Sequence, residues 1–328
     1  MKHYFSLNLQ LFAELNTNVT TAGDLSAEMK TYYDMNLIAE AQPNLIHAQF
    51  GQKRDIPKNG GKKIEFRKFA SLPKALTPLV EGVTPDGKNL KVENIESEVN
   101  QYGDYIVQSD MLELTSIDNT IVEATKVLGN QAGLTLDTIV RNQMHLTTNK
   151  WFAPKSNGTA VTEESGLDDT CLLTVDLIRD VVADLKANNA PKIDGSYVAI
   201  VHPYVSKDLM ASEEWIDAHK YANPENIYEG EIGKMAGVRF VESSEARIYA
   251  GGVFGTLIFG NGAYGTTEIT GGGLETIIKQ KGSAGTADPL DQRSSIGWKA
   301  TQTAEILIPA YMACVMSKSK ASAKAKAN

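Results

Sequence analysis

The chain has 328 residues, 42% of them hydrophobic, with two cysteines and a formal charge of −8. That composition supplies a real core and excludes wholesale disorder, and Cys171 and Cys314 are too few and too far apart for a disulfide framework or a metal knuckle, so reduced thiols in a cytosol are the simpler reading. Setting aside the four lysines of the acid-free end, Ser317 to Asn328, leaves the remainder at −12, which argues against tight phosphate binding as the main task. No apolar run reaches the length of a membrane span, and Asn8 and Gln10 interrupt the opening MKHYFSLNLQLFAE, which excludes a secretion signal.

In that opening, Phe5, Leu7, Leu9 and Leu11 alternate with Ser6, Asn8 and Gln10, a period of two that fits a strand with one apolar face. With no hairpin partner nearby it pairs with a distant sheet or another subunit, or else is a frayed tail. Asp24 caps a helix holding Leu25, Met29, Tyr32, Tyr33 and Leu37, which ends before Pro43. Leu45, Ile46 and Phe50 mark a further short helical piece, completing an arm of about fifty residues.

From Gln52 to Met111 the pattern is that of a long β arm. Ile64, Phe66 and Phe69 mark one limb, and Val92, Ile95, Val99, Tyr102 and Tyr105 mark another. Between them, LPKALTPLVEGVTPDGKN is punctuated by prolines and glycines. Lys53 to Lys74 has eight basic and two acidic residues, whereas Glu81 to Glu113 has eight acidic and two basic. Lys62, Lys63 and Arg67 against Glu93, Glu96 and Glu98 are therefore the candidates for inter-subunit contact, together with Phe5, Leu7, Leu9 and Leu11. Pairing across the two strands of a self-neutralising arm would use the same charges.

Ser116 to Leu146 reads as one long helix, with Thr115, Ser116 and Asp118 at its start. Ile117, Ile121, Ala124, Leu128, Ala132, Leu136, Ile139 and Leu146 form an apolar stripe. At 1.5 Å per residue it would run roughly 45 Å, a beam rather than an ordinary core helix. Gly129 and Gly133 each cost about 1 kcal/mol relative to Ala, so tertiary packing must hold it.

After a Gly- and acid-rich loop, residues 166–284 read as an α/β unit. Its elements are a helix capped by Thr174, a buried strand at Ser196–Val201, a helix from Pro203, a strand at Val238–Glu242, the apolar run Val253–Phe259 and a strand at Glu275–Lys279. Ile296, Trp298, Ile306, Ile308, Met312, Cys314 and Met316 then form closing strands. Their natural partner is the sheet beneath the long helix, which makes the α/β unit an insertion.

Catalytic signatures are weak. GNGAYG at Gly260–Gly265 matches GxGxxG, but no helix opens at its last glycine, as a pyrophosphate cradle requires. His3, His47, His145, His202 and His219 lack metal-ligand spacing, and the adjacent acids Glu163/Glu164, Asp168/Asp169 and Glu213/Glu214 point in different directions on any regular element. The reading is of no enzyme, no cofactor and no metal.

The assembled pattern resembles the major capsid proteins of tailed bacteriophages, the Hong Kong 97 type of shell fold. The residues that carry it are IPKNGGKKIEFRKF at Ile56–Phe69, where Ile56 stands for an expected leucine, TPLVEGVTP at Thr77–Pro85 and QYGDYI at Gln101–Ile106. GEIGKMAGVRFVES at Gly230–Ser243 and DPLDQRSSIGWKA at Asp288–Ala300 add to it. The resemblance spans about 25–317. It implies an α+β fold with an N-terminal arm (1–50), an extended loop (51–110) and a peripheral domain on the spine helix 116–146 (111–165 with 285–317). An axial domain (166–284) and a basic tail (318–328) complete it. It further implies hexamers and pentamers forming an icosahedral head around double-stranded DNA, with a separate scaffolding protein, a portal, and decoration proteins as a further class of partner. Contact with the packaged DNA would be weak and non-specific, there would be no membrane, and assembly would take place in the host bacterial cytoplasm. An encapsulin-like compartment enclosing protein is the alternative on the same fold, and a dinucleotide enzyme using GNGAYG the alternative from another class. The lysine tail either touches DNA or scaffold or is simply solvated.

Overall fold

The structure is a computed structural model describing residues 37–328, apart from 42–44, 70–71, 73, 79–80, 83, 85, 116–119, 221–230 and 284–287. The strand expected at Phe5–Leu11, the helix from Asp24 as far as residue 36 and the cap of the long helix lie outside the described residues.

One sheet is built around β13 (Arg293–Ile306). Along one edge β4 (Asn100–Ser109) runs antiparallel, from Gln302↔Asn100 to Arg293↔Ser109. Along the other pair β11 (Tyr264–Thr267) and then β12 (Glu275–Lys279), with β1 (Gln52–Lys53) added parallel outside β11. The even-numbered residues of β13 face inward, where Ile296, Trp298 and Ala300 form a core with Ala124, Leu128, Ala132 and Leu136 of α3 (Thr120–Met144). The period-2 face of the strand and the period-3.6 stripe of the helix are the two halves of this core.

A second sheet has the order β5 (Lys150–Phe152), β14 (Met312–Ser317), β10 (Val253–Phe259), β6 (Tyr197–Val201), β8 (Val238–Glu242) and β7 (Glu231–Met235), with β9 (Ile248–Tyr249) paired to β10. Every residue of β10, β6 and β14 is buried, as expected of central strands whose sequences are mostly apolar. Its helices are α4 (Val175–Ala187), capped by the Thr174 hydroxyl accepting from the Leu177 N–H, α5 (Pro203–Met210), capped by His202, and α6 (Glu213–Lys220). His202 is therefore a capping residue.

The closing segment divides between the sheets. β13 lies beneath α3 as expected, but β14 crosses to the second sheet, and β11 and β12 pair with β13 instead of completing the α/β unit. The connection between the sheets is GNGAYG. A Cβ on Gly260 would stand 2.4 Å from the Pro191 carbonyl, Gly262 has φ +73°, and β11 follows directly where a dinucleotide fold would place a helix. The limb Val92–Tyr105 is two strands. β3 (Val92–Glu98) pairs with β2 (Lys63–Phe69) in a separate hairpin, and the chain turns at buried Val99 into β4.

The long helix spans both bodies. Its first part packs on the β13 sheet, while Val140 and Met144 enter the core of the second sheet. Its described part, Thr120–Met144, runs about 37 Å. After Met144 the Leu146 and Thr147 N–H groups bond back only three residues, to Gln143 and Met144. That tighter turn rotates Leu146 off the apolar stripe, and it is 67% exposed.

Candidate assembly surfaces

The glycines of α3 mark where another element meets it. A Cβ on Gly129 would lie 2.8 Å from the Leu37 carbonyl, and one on Gly133 would lie 2.5 Å from the Ala41 carbonyl. Helical residues 37–41, termed α1, cross the beam in this notch, with Leu37 and Ala41 fully buried. Small residues four apart let two backbones approach as side chains would not. Sequence reasoning took the two glycines only as a cost to the helix; their spacing of four is the signal that could have pointed to a crossing partner.

One turn further, Asp137 secures the chain that follows α1. Its Oδ1 accepts from the His47 backbone N–H at 2.7 Å, and its Oδ2 accepts from His47 Nδ1 at 2.6 Å. Both side chains are wholly buried, and the Tyr264 hydroxyl donates to the His47 carbonyl. Sequence reasoning missed this pair, because only the fold brings positions 90 residues apart together. Next along the helix, Arg141 donates to the Glu245 carbonyl at 2.7 Å, and His145 sits beneath Gly255 within reach of the Tyr249 hydroxyl and the Cys314 thiol. Burial holds the His145 pKa well below its ordinary value, helped by His47 and Arg141 nearby, and pushes the Cys314 thiol up to about 12. A neutral imidazole beside a protonated thiol is a structural contact, without the thiolate that nucleophilic chemistry requires.

The hairpin β2–β3 has one face turned inward and one open. Phe66 packs against Gly265 and beneath the Arg54 guanidinium, and the Ser97 and Thr303 hydroxyls meet at 3.0 Å. Among the contact candidates, Lys63, Arg67, Glu96 and Glu98 share the open face, since Lys63 pairs with Glu98 and Arg67 with Asn94. Glu93 lies on the other face opposite Lys68, and Lys62 precedes the strand, with its carbonyl accepting from Val99. Lys63 and Glu96 form an exposed ion pair at 3.6 Å, so part of the charge is neutralised within the hairpin. Toward the tip, Leu72, Leu76, Leu90 and Val92 are exposed, as are Tyr105 and Val107 of β4 and Met111, Leu112 and Leu114 of the following α2 (Asp110–Thr115).

The lysine tail is not a free strand in solvent. The Lys318 N–H donates to the Cys171 carbonyl, the Ser319 hydroxyl and the Lys320 N–H donate to Asp208, and the Ile248 N–H donates to the Asn328 side chain. Lys318 pairs with Asp169 at 3.3 Å, while Lys320, Lys324 and Lys326 remain exposed. Among the described residues no helix is long and apolar enough to cross a membrane, and no acidic, histidine and cysteine cluster is arranged to hold a metal.

Residues 113–264 match the family model described as phage capsid protein. No curated protein matches the sequence. Among solved structures the chain is similar to the capsid of cyanophage P-SCSP1u (16% identity, 83% of this chain and 87% of that one, TM-score 0.63). It is likewise similar to the capsid of Ralstonia phage GP4 (13%, 83% and 87%, 0.63) and to a virus-like particle from Pyrococcus furiosus (10%, 88% and 99%, 0.51). At such identities the structural likeness is one of fold. The chain thus shares the fold of these phage capsids, the Hong Kong 97 type shell fold, and its segment 113–264 is similar to the phage capsid protein family.

Proposed function

We propose that copies of this chain join in rings of six and five to close an icosahedral head around double-stranded DNA, and that the open face of the β2–β3 hairpin is one of the joining surfaces. The observation that carries the reading is the hairpin itself. Its inner face is packed on the body, while Lys63, Arg67, Glu96 and Glu98 on the outer face, and the leucines toward the tip, are left exposed. A shell tile needs many modest contacts across subunit borders, and mixed charge on a projecting arm gives them register more than strength. Phe5, Leu7, Leu9 and Leu11 belong to the same proposal as contacts of the arm, and a predominantly acidic body suits a container whose DNA must be packed and released.

Reversing Lys63→Glu and Arg67→Glu together tests the hairpin. Exposed pairs contribute about 0–1 kcal/mol each, so the subunit should fold with little change in thermal stability. Sedimentation should show the assembled fraction falling several-fold at low salt, with recovery when Glu96→Lys and Glu98→Lys are supplied on a second chain. Assembly unchanged by the reversal would instead support a hairpin that only neutralises itself.

A further inference from the structure

A cavity of about 450 Å³ opens between α1, α3 and the β13 sheet, a size within the range of small-molecule sites. Its floor is the face of the sheet turned toward α3. Lys53 lies beside Thr266, and Thr266 beside Ala304, so the side chains of Lys53 and Asp55 stand on the same face as Ala300 and Gln302. The walls differ in character. Ala41, Leu136 and Ala300 are buried, and with Ile38, Leu45 and Leu274 they make an apolar wall. Where the cavity meets solvent stand Lys53, Asp55 and Glu268, all exposed. Gln302 lines the space as well, and its buried Oε1 has no hydrogen-bond partner among the described residues.

The polar wall lacks a partner of one particular kind. Partial burial raises the Glu268 carboxyl, Asp55 beside it raises it further, and Lys53 offsets only part of this. Two carboxylates thus face one ammonium, next to a carbonyl oxygen that no donor answers. A cationic head with N–H donors meets both needs, and its hydrogen bonds to carboxylate are the stronger kind. A carboxylate or phosphate head would meet like charge and leave the Gln302 acceptor unanswered. The apolar wall offers no side-chain acceptor, so a second ammonium at the far end of the ligand would be buried unpaired.

We propose that this cavity binds a small primary amine with an apolar body, its ammonium toward Asp55, Glu268 and Gln302 Oε1 and its body against Leu45, Leu136 and Leu274. The site lies within one chain, so the proposal is independent of the shell reading. A ligand so placed touches α1 on one side and the β13 sheet on the other, and stabilises the folded subunit by mass action.

The test is a calorimetric titration of octylamine into the full-length subunit, below the concentration at which the amine self-associates. Octanoate, octanol and the corresponding diamine serve as chain-matched probes. The proposal expects saturable binding of one octylamine per subunit, at least ten-fold tighter than any of the three. Asp55→Asn with Glu268→Gln, both at exposed positions, should weaken octylamine at least ten-fold and leave octanol unchanged. Ala48→Phe, which places a ring in the space that Ala48 lines, should abolish binding. Absence of saturable binding would mean that the chain itself fills the space and would overturn the proposal. Equal affinity for octylamine and octanoate, or octylamine binding unchanged by the Asp55 and Glu268 replacements, would overturn it too. Should Ala48→Phe fail to fold, the charge variant decides alone.

Discussion

Gly133→Ala should destabilise the subunit by up to about 2 kcal/mol, the opposite sign from that given by helix propensity. In an exposed helix interior the change would stabilise by about 1 kcal/mol. Here the new methyl would stand 2.5 Å from the Ala41 carbonyl oxygen and 3.0 Å from its Cα, so backbone rather than a side-chain end must move. Overpacking typically costs about 1–3 kcal/mol, and because the clash here is with backbone the cost should lie toward the upper end, leaving a net loss after the propensity gain. Gly133→Leu should detach α1 from the beam altogether. Val127→Ala, on the exposed side of the same helix, is the control and should stabilise slightly. Urea unfolding of the unassembled subunit decides it, and a rise in midpoint for Gly133→Ala would mean that α1 does not occupy the notch.

Asp137→Ala should be more damaging, by about 3–5 kcal/mol, because it leaves two His47 donors buried without their acceptor. His47→Ala should cost a similar amount by stranding the carboxylate. The double replacement His47→Leu with Asp137→Leu should recover part of the loss, since two apolar groups leave no buried charge. Unfolding free energies of the four proteins form a closed cycle. Single variants within about 0.5 kcal/mol of wild type would show that the pair does not tie this segment to the helix. With α1 it forms the seam along which the arm joins the beam, so both sets of variants should also lower the yield of assembled particles.

The long helix, the Thr174 cap, the buried strands and the hairpin were legible because each is written in its own residues, as a period of 3.6, a period of two or a capping hydroxyl. Sheet membership was not. The sequences of β12 and β14 read as strands but do not state which strand lies alongside, β11 (YGTT) has no strand pattern of its own, and the chain crosses between sheets at GNGAYG. Gly129 and Gly133 looked like weak points in the helix until the crossing of α1 supplied their reason. Leu146 fits the stripe by spacing and leaves it because the last turn tightens. Composition leaves the lysine tail either solvated or touching DNA or scaffold, yet Ser319, Lys320 and Asn328 tie it to the body through single hydrogen bonds that no composition records. His47 and Asp137 carry no local signal at all.

Electron cryo-microscopy of the purified protein, expressed alone and then with its neighbouring genes, tests the central claim most directly. The account predicts closed icosahedral shells built of rings of six and five subunits, with the β2–β3 hairpin of each copy lying on a neighbour. A stable monomer or dimer under both conditions would contradict it.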